Sequence, residues 1–118
     1  MTKNTNCTRA FSDAQEKSVC KALGAIQQSN SGAGLFNKGD CVQKEADLLI
    51  ECKTSMTDKD SVSVKKEWIT KNKEEAFALR LHNHCIAFNF GPNQPNYYII
   101  DELTMKFLVD KLIEEYGN

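Results

Sequence analysis

An apolar strand that ends in an acid and an amine constrains this chain most. Residues 46–54 read Ala-Asp-Leu-Leu-Ile-Glu-Cys-Lys-Thr, so Leu48-Leu49-Ile50 runs straight into Glu51-x-Lys53. Strand side chains alternate faces, which puts Glu51 and Lys53 on one side and Cys52 on the other. An acid beside an amine at the end of a buried strand is costly unless something binds them. Gly39-Asp40 lies just upstream, and a hairpin can bring Asp40 against Glu51. Two acids and a lysine converging on one point make the ligand set of a metal-dependent phosphodiesterase.

The hairpin has a definite expected register. With its turn at Glu45-Ala46, Lys44 faces Asp47, Gln43 faces Leu48, Val42 faces Leu49 and Cys41 faces Ile50. Asp40 then stands opposite Glu51. Directly opposed residues share a face with Cβ atoms ~4.5–5.5 Å apart. Like charges at that range repel unless a divalent cation lies between them, and the spacing suits two carboxylates sharing one Mg²⁺. Asp47 is the rival acid. It has the facing parity of Glu51 but lies four residues away, ~13 Å at ~3.3 Å per residue, too far to share an ion without a bulge.

The remaining elements follow from periodicity and punctuation. Ser12 with Gln15 reads as a capping box behind Phe11, opening a helix that runs to about Gln28. Val19, Leu23 and Ile26 give its apolar stripe, and Glu16 lies on that same stripe, an unusual place for a carboxylate. Residues 29–40 are small, polar and glycine-rich, hence a loop without the ending of a Walker motif. Residues 41–44 and 47–53 form the hairpin, and 54–61 loop out. A second helix is expected over Val62 to about Leu81, with Trp68, Ile69, Ala76, Phe77 and Leu79 inward. Strands follow at 84–90 and 97–100, separated by the turn formers of 91–96. Asp101 caps a last helix over Glu102 to Tyr116. The expected fold is α/β, a central mixed sheet flanked by helices in the order α-β-β-α-β-β-α.

Composition narrows the class. The 118 residues suffice for one domain, 1–118, and not for two. A net charge of −1 gives no global basic signal, so nucleic-acid binding must use a local patch. No apolar run approaches the ~20 residues that span a bilayer, and the polar start lacks a signal-peptide core, so no membrane association and a cytoplasmic location are expected. The five cysteines include no C-x-x-C pair, and Cys20, Cys52 and Cys85 read as buried free thiols. His82-Asn83-His84-Cys85 is the one other grouping with metal-ligand types.

Glu16 in the first helix, Asp40 after a glycine-rich loop, and Glu51-x-Lys53 together resemble the PD-(D/E)XK nuclease superfamily. Within it the chain is most similar to the small archaeal and phage-type Holliday junction resolvases. The Ser29-Asn30-Ser31-Gly32 loop and the basic helix entry Val64-Lys65-Lys66-Glu67-Trp68 carry that likeness, which covers most of residues 12 to 90; Gly39 stands where the motif's name has proline. The resemblance implies a restriction-endonuclease-like core and a Mg²⁺- or Mn²⁺-dependent DNA endonuclease. Asp40 and Glu51 would hold the metal, with Glu16 completing the shell. Lys53 would position the water that displaces the 3′-oxygen. Ser29, Ser31, Lys38, Lys65 and Lys66 would contact DNA, with Lys71, Lys73 and Arg80 nearby. Branched DNA and a homodimer are the implied substrate and state. The alternatives are a restriction- or repair-type nuclease acting on duplex or nicked DNA, and a catalytically silent nucleic-acid-binding module on the same fold.

Overall fold

The apolar run at Leu48 becomes the middle strand of a five-stranded sheet. In this computed structural model the described residues are 3–28 and 40–117, with side chains from residue 11 onward. The strands are β1 (Ile26–Gln27), β2 (Asp40–Gln43), β3 (Leu48–Lys53), β4 (Asn83–Phe88) and β5 (Tyr97–Ile99), adjacent in that order. The helices are α1 (Lys3–Leu23), α2 (Lys66–Ala78) and α3 (Glu102–Tyr116). β3 and β4 run parallel, and the other neighbours run antiparallel. A parallel pair needs a crossover, and α2 is that crossover.

The fold is therefore α/β with a mixed sheet flanked by helices, in the order α-β-β-β-α-β-β-α. The expected order lacks β1, because the expected first helix runs over its residues to about Gln28. Gly24 is the reason. It takes φ +65°, a left-handed conformation that costs glycine little, and ends α1 there. The Ala25 amide bonds back to Cys20 O at 3.1 Å, the long return bond of a glycine helix stop. Freed from the helix, Ile26 and Gln27 pair with Val42 and Cys41. α1 also begins at Lys3 rather than Ser12, because no Gly or Pro interrupts residues 3–23. α2 is shorter than expected, its end marked by Arg80 at φ +60° with Leu81 N bonded to Ala76 O at 2.8 Å. Ile69 and Phe77, expected inward, are exposed, because the face that meets the sheet runs through Asn72 and Ala76.

Each sheet face buries a different helix. Cys41, Ile50, Cys85 and Ala87 share the face on which α1 places Val19. Val42 and Leu49 share the opposite face with Ala76 of α2. The alternation is that of a sheet covered on both sides. Cys20, Cys41, Cys52 and Cys85 are free thiols, with Cys41 fully buried and Cys20 and Cys52 half-buried. Burial pushes the Cys85 thiol up to about 12, and the same cause acts on Cys20, so neither is a thiolate at neutral pH. α3 starts where expected, with Thr104 N donating to Asp101 Oδ1 at 2.9 Å, yet it has no buried residue. Among the described residues no helix is long and apolar enough to cross a membrane.

Asp47 proves to be a turn residue. It sits at φ +54° and its Oδ2 accepts from His82 N at 2.8 Å and meets the His82 ring. The His82 backbone donor, then its side chain, hold the Asp47 carboxyl below its ordinary range. A carboxyl whose folded pKa is depressed stabilises the fold above its unfolded pKa of ~3.9 and loses that contribution as pH falls through the folded value. Asp47→Asn should therefore lower the melting temperature at pH 7, and the gap from the parent should close as pH falls below ~4. Thermal melts from pH 7 to pH 3 check this; equal melting temperatures at pH 7 would overturn it.

Candidate metal centre

Pairing of β2 with β3 sets Asp40 opposite Glu51 and Val42 opposite Leu49, the register expected from the turn at Glu45-Ala46. Both acids project from the face that α2 covers. α2 then adds a third. Asn72, Glu75, Ala76 and Leu79 follow the i, i+3, i+4, i+7 spacing of a buried stripe, so Glu75 faces the sheet. One carboxylate oxygen from each of Asp40, Glu51 and Glu75 lies within 4.8 Å of the others. Lys53 Nζ reaches Glu51 Oε2 at 2.9 Å and lies 5.1 Å from the centroid of the Trp68 ring.

Three carboxyl groups crowd a largely dry site: Asp40 is fully buried, Glu51 is nearly so, and the Lys53 ammonium pairs with Glu51. Burial, and then the charge of Glu51, push the Glu75 carboxyl above its ordinary range; a hydrogen bond with Asp40 and the charges of Lys53 and Lys71 act the other way. Glu51 Oε1 is buried and has no hydrogen-bond partner among the described residues. A buried carboxylate oxygen left without a partner costs free energy that a bound cation would recover. The donor chemistry fits a hard divalent ion. All three ligands are carboxylate oxygens, and their spacing matches atoms held ~2.0–2.6 Å from a common Mg²⁺, Mn²⁺ or Ca²⁺.

Glu16 is not part of this group. It is buried, as its place on the stripe implied, but its Oε1 accepts from Gln27 Nε2 at 2.9 Å. Gln27 pairs with Cys41 and shares its face, so Glu16 lies at the same end of the sheet but on the α1 side. The sheet separates it from Glu75. Helical periodicity told that Glu16 points inward; it could not tell which face of the sheet the helix covers. Glu75 takes the third position, and sequence reasoning missed it. Its signal was of the same kind, an acid seven residues after Trp68 and four before Leu79 on an apolar stripe.

Lys65 and Lys66 are exposed at the start of α2, where Lys65 occupies the N-cap without a side-chain cap bond. Trp68, one turn on, holds Lys53, so this helix entry stands beside the carboxylates. Ser29, Ser31 and Lys38 lie outside the described residues. Asp47 is at the opposite end of β3 and does not contribute. The two histidines part company: His82 pairs with Asp47, and His84 Nε2 lies 3.8 Å from Asp101 Oδ2. Among the described residues, Asp40, Glu51 and Glu75 are the one group of three or more such side chains close enough to hold a metal ion. The chain matches no protein-family model, no curated protein and no solved structure.

Proposed function

We propose that this chain is a divalent-metal-dependent DNA endonuclease of the PD-(D/E)XK type, selective for branched DNA. The observation that carries the reading is the convergence of Asp40, Glu51 and Glu75 within 4.8 Å, with Lys53 2.9 Å from Glu51. Asp40, Glu51 and Glu75 would hold Mg²⁺ or Mn²⁺, which when bound polarises a phosphate oxygen and acidifies water. Lys53 places a positive charge where negative charge develops on the phosphate, and its side chain is partly exposed, which leaves room for a water beside it. The Trp68 ring face, 5.1 Å from Nζ, helps hold the ammonium there. Lys65 and Lys66 meet the DNA backbone, aided by the free amide groups of the α2 N-terminus. Branched DNA and a twofold dimer extend the reading along the resolvase resemblance, since a symmetric pair of sites suits two strands cut symmetrically.

The test is a cleavage assay on a four-way junction, a linear duplex of the same sequence and a single strand, with Mg²⁺, Mn²⁺ and excess chelator. The junction should be cut at least tenfold faster than the duplex, and chelator should stop both reactions. Undiminished cutting in excess chelator would end the metal mechanism. Equal cutting of junction and duplex would favour the restriction- or repair-type alternative.

A further inference from the structure

Among the described residues, α3 is the helix that the rest of the chain covers least. None of its residues is buried. Met105, Leu108, Val109, Leu112, Ile113 and Tyr116 recur at i, i+3, i+4, i+7, i+8 and i+11, the spacing of one continuous apolar stripe. Every one of them is exposed, from 38% at Val109 to 77% at Tyr116. A contiguous exposed apolar stripe of this size marks an interaction surface.

We infer that α3 packs, antiparallel, against α3 of a second copy of this chain. Three observations favour that occupant. The first is area. Taking roughly 200 Å² for a fully exposed large side chain, the six residues present on the order of 600 Å² per copy. Specific interfaces bury about 600–1,000 Å² per partner, so the stripe reaches the lower end of that range. The second is geometry. A single straight stripe is self-complementary about a twofold axis, the commonest symmetry of homo-oligomers. The third is charge. An antiparallel pair sets the half of one helix where Glu102 and Lys106 balance beside the acidic half of the other, with Asp110, Glu114 and Glu115 against Lys111, and opposes the helix dipoles, whereas a parallel pair would stack the two acidic halves together. A lipid surface fits worse, because Glu102, Asp110, Glu114 and Glu115 outnumber Lys106 and Lys111 on the polar side, and anionic headgroups would repel that excess.

This inference locates the dimer contact included in the nuclease reading, but it stands without any metal and is tested without one. Sedimentation equilibrium of the wild-type chain in chelator should give twice 13.3 kDa. Leu108→Glu/Leu112→Glu places two charges in the helix contact and should weaken dimerisation by about a hundredfold or more. Both side chains are exposed within one copy, so the substitutions leave its core intact. Phe77→Glu, at an exposed apolar residue on α2, should leave the dimer unchanged. A wild-type chain that sediments as one copy, including the case in which it associates only with added lipid vesicles or DNA, overturns the inference. So does a double variant that remains dimeric, or a Phe77→Glu chain that dissociates. A wild-type chain that is a dimer yet cuts no DNA with Mg²⁺ or Mn²⁺ would count against the nuclease reading alone.

Discussion

Asp40→Asn should abolish metal-dependent cleavage, and Asp47→Asn should not. Asp40 is fully buried and stands opposite Glu51, where its carboxylate is one of three that converge. Converting it to an amide removes a negative ligand and leaves a neutral, weaker oxygen donor in its place. The expected loss in single-turnover cleavage is on the order of a thousandfold or more, ~4 kcal/mol of barrier. The same change relieves repulsion among acids packed without an ion, so the metal-free variant should melt no lower than the parent and lose the rise in melting temperature that Mg²⁺ gives. Glu75→Gln should behave alike, because its carboxyl closes the same triangle from α2. Asp47→Asn should stay within about tenfold of the parent, ~1.4 kcal/mol at most, since its carboxylate faces His82 at the other end of β3. The reverse pattern, with Asp47→Asn inactive and Asp40→Asn active, would place the metal elsewhere.

These two acids also mark how far the sequence could be read. The Asp40–Glu51 pairing was legible because it is local. A turn at Glu45-Ala46 leaves one register, and a slip of one residue would send Leu49 and Ile50 to the wrong faces. The Asp101 cap of α3 was legible for the same reason, a side chain bonding an amide three residues on. What stayed hidden depends on how elements stack across the sheet. Glu16 and Glu75 carry the same signal, an acid on an apolar helical stripe. Only the placement of α1 on the Cys41 face and of α2 on the Val42 face decides which of them joins Asp40. β1 escaped because two residues carry no period, and Gly24, which falls inside the helix expected to reach Gln28, is its stop.

Lys53 offers the sharper test, because its ammonium has two explanations that a single substitution can separate. As a structural partner it offsets charge on Glu51, 2.9 Å away, and rests over Trp68. If that were its whole role, Lys53→Ala would lower metal-free stability, while Mg²⁺, which neutralises the same carboxylates, would restore both the fold and turnover. As a group acting on the reacting phosphate and its water, its loss removes charge stabilisation that no ligand-bound ion at the carboxylates replaces. Saturating Mg²⁺ should then leave cleavage depressed by roughly a hundredfold to a thousandfold, about 2.7–4 kcal/mol. DNA binding should stay within a few fold, because one ammonium among several contributes at most about one unit to the salt dependence of affinity. Half-saturation by Mg²⁺ should move to lower concentration, since a cation that competes for Glu51 has gone. Lys53→Arg should recover part of the rate, keeping the charge but spreading it over a larger planar group. Measuring single-turnover rates, junction binding and Mg²⁺ half-saturation on the same three proteins separates the roles. Near-normal turnover of Lys53→Ala at saturating Mg²⁺ would reduce Lys53 to the partner of Glu51.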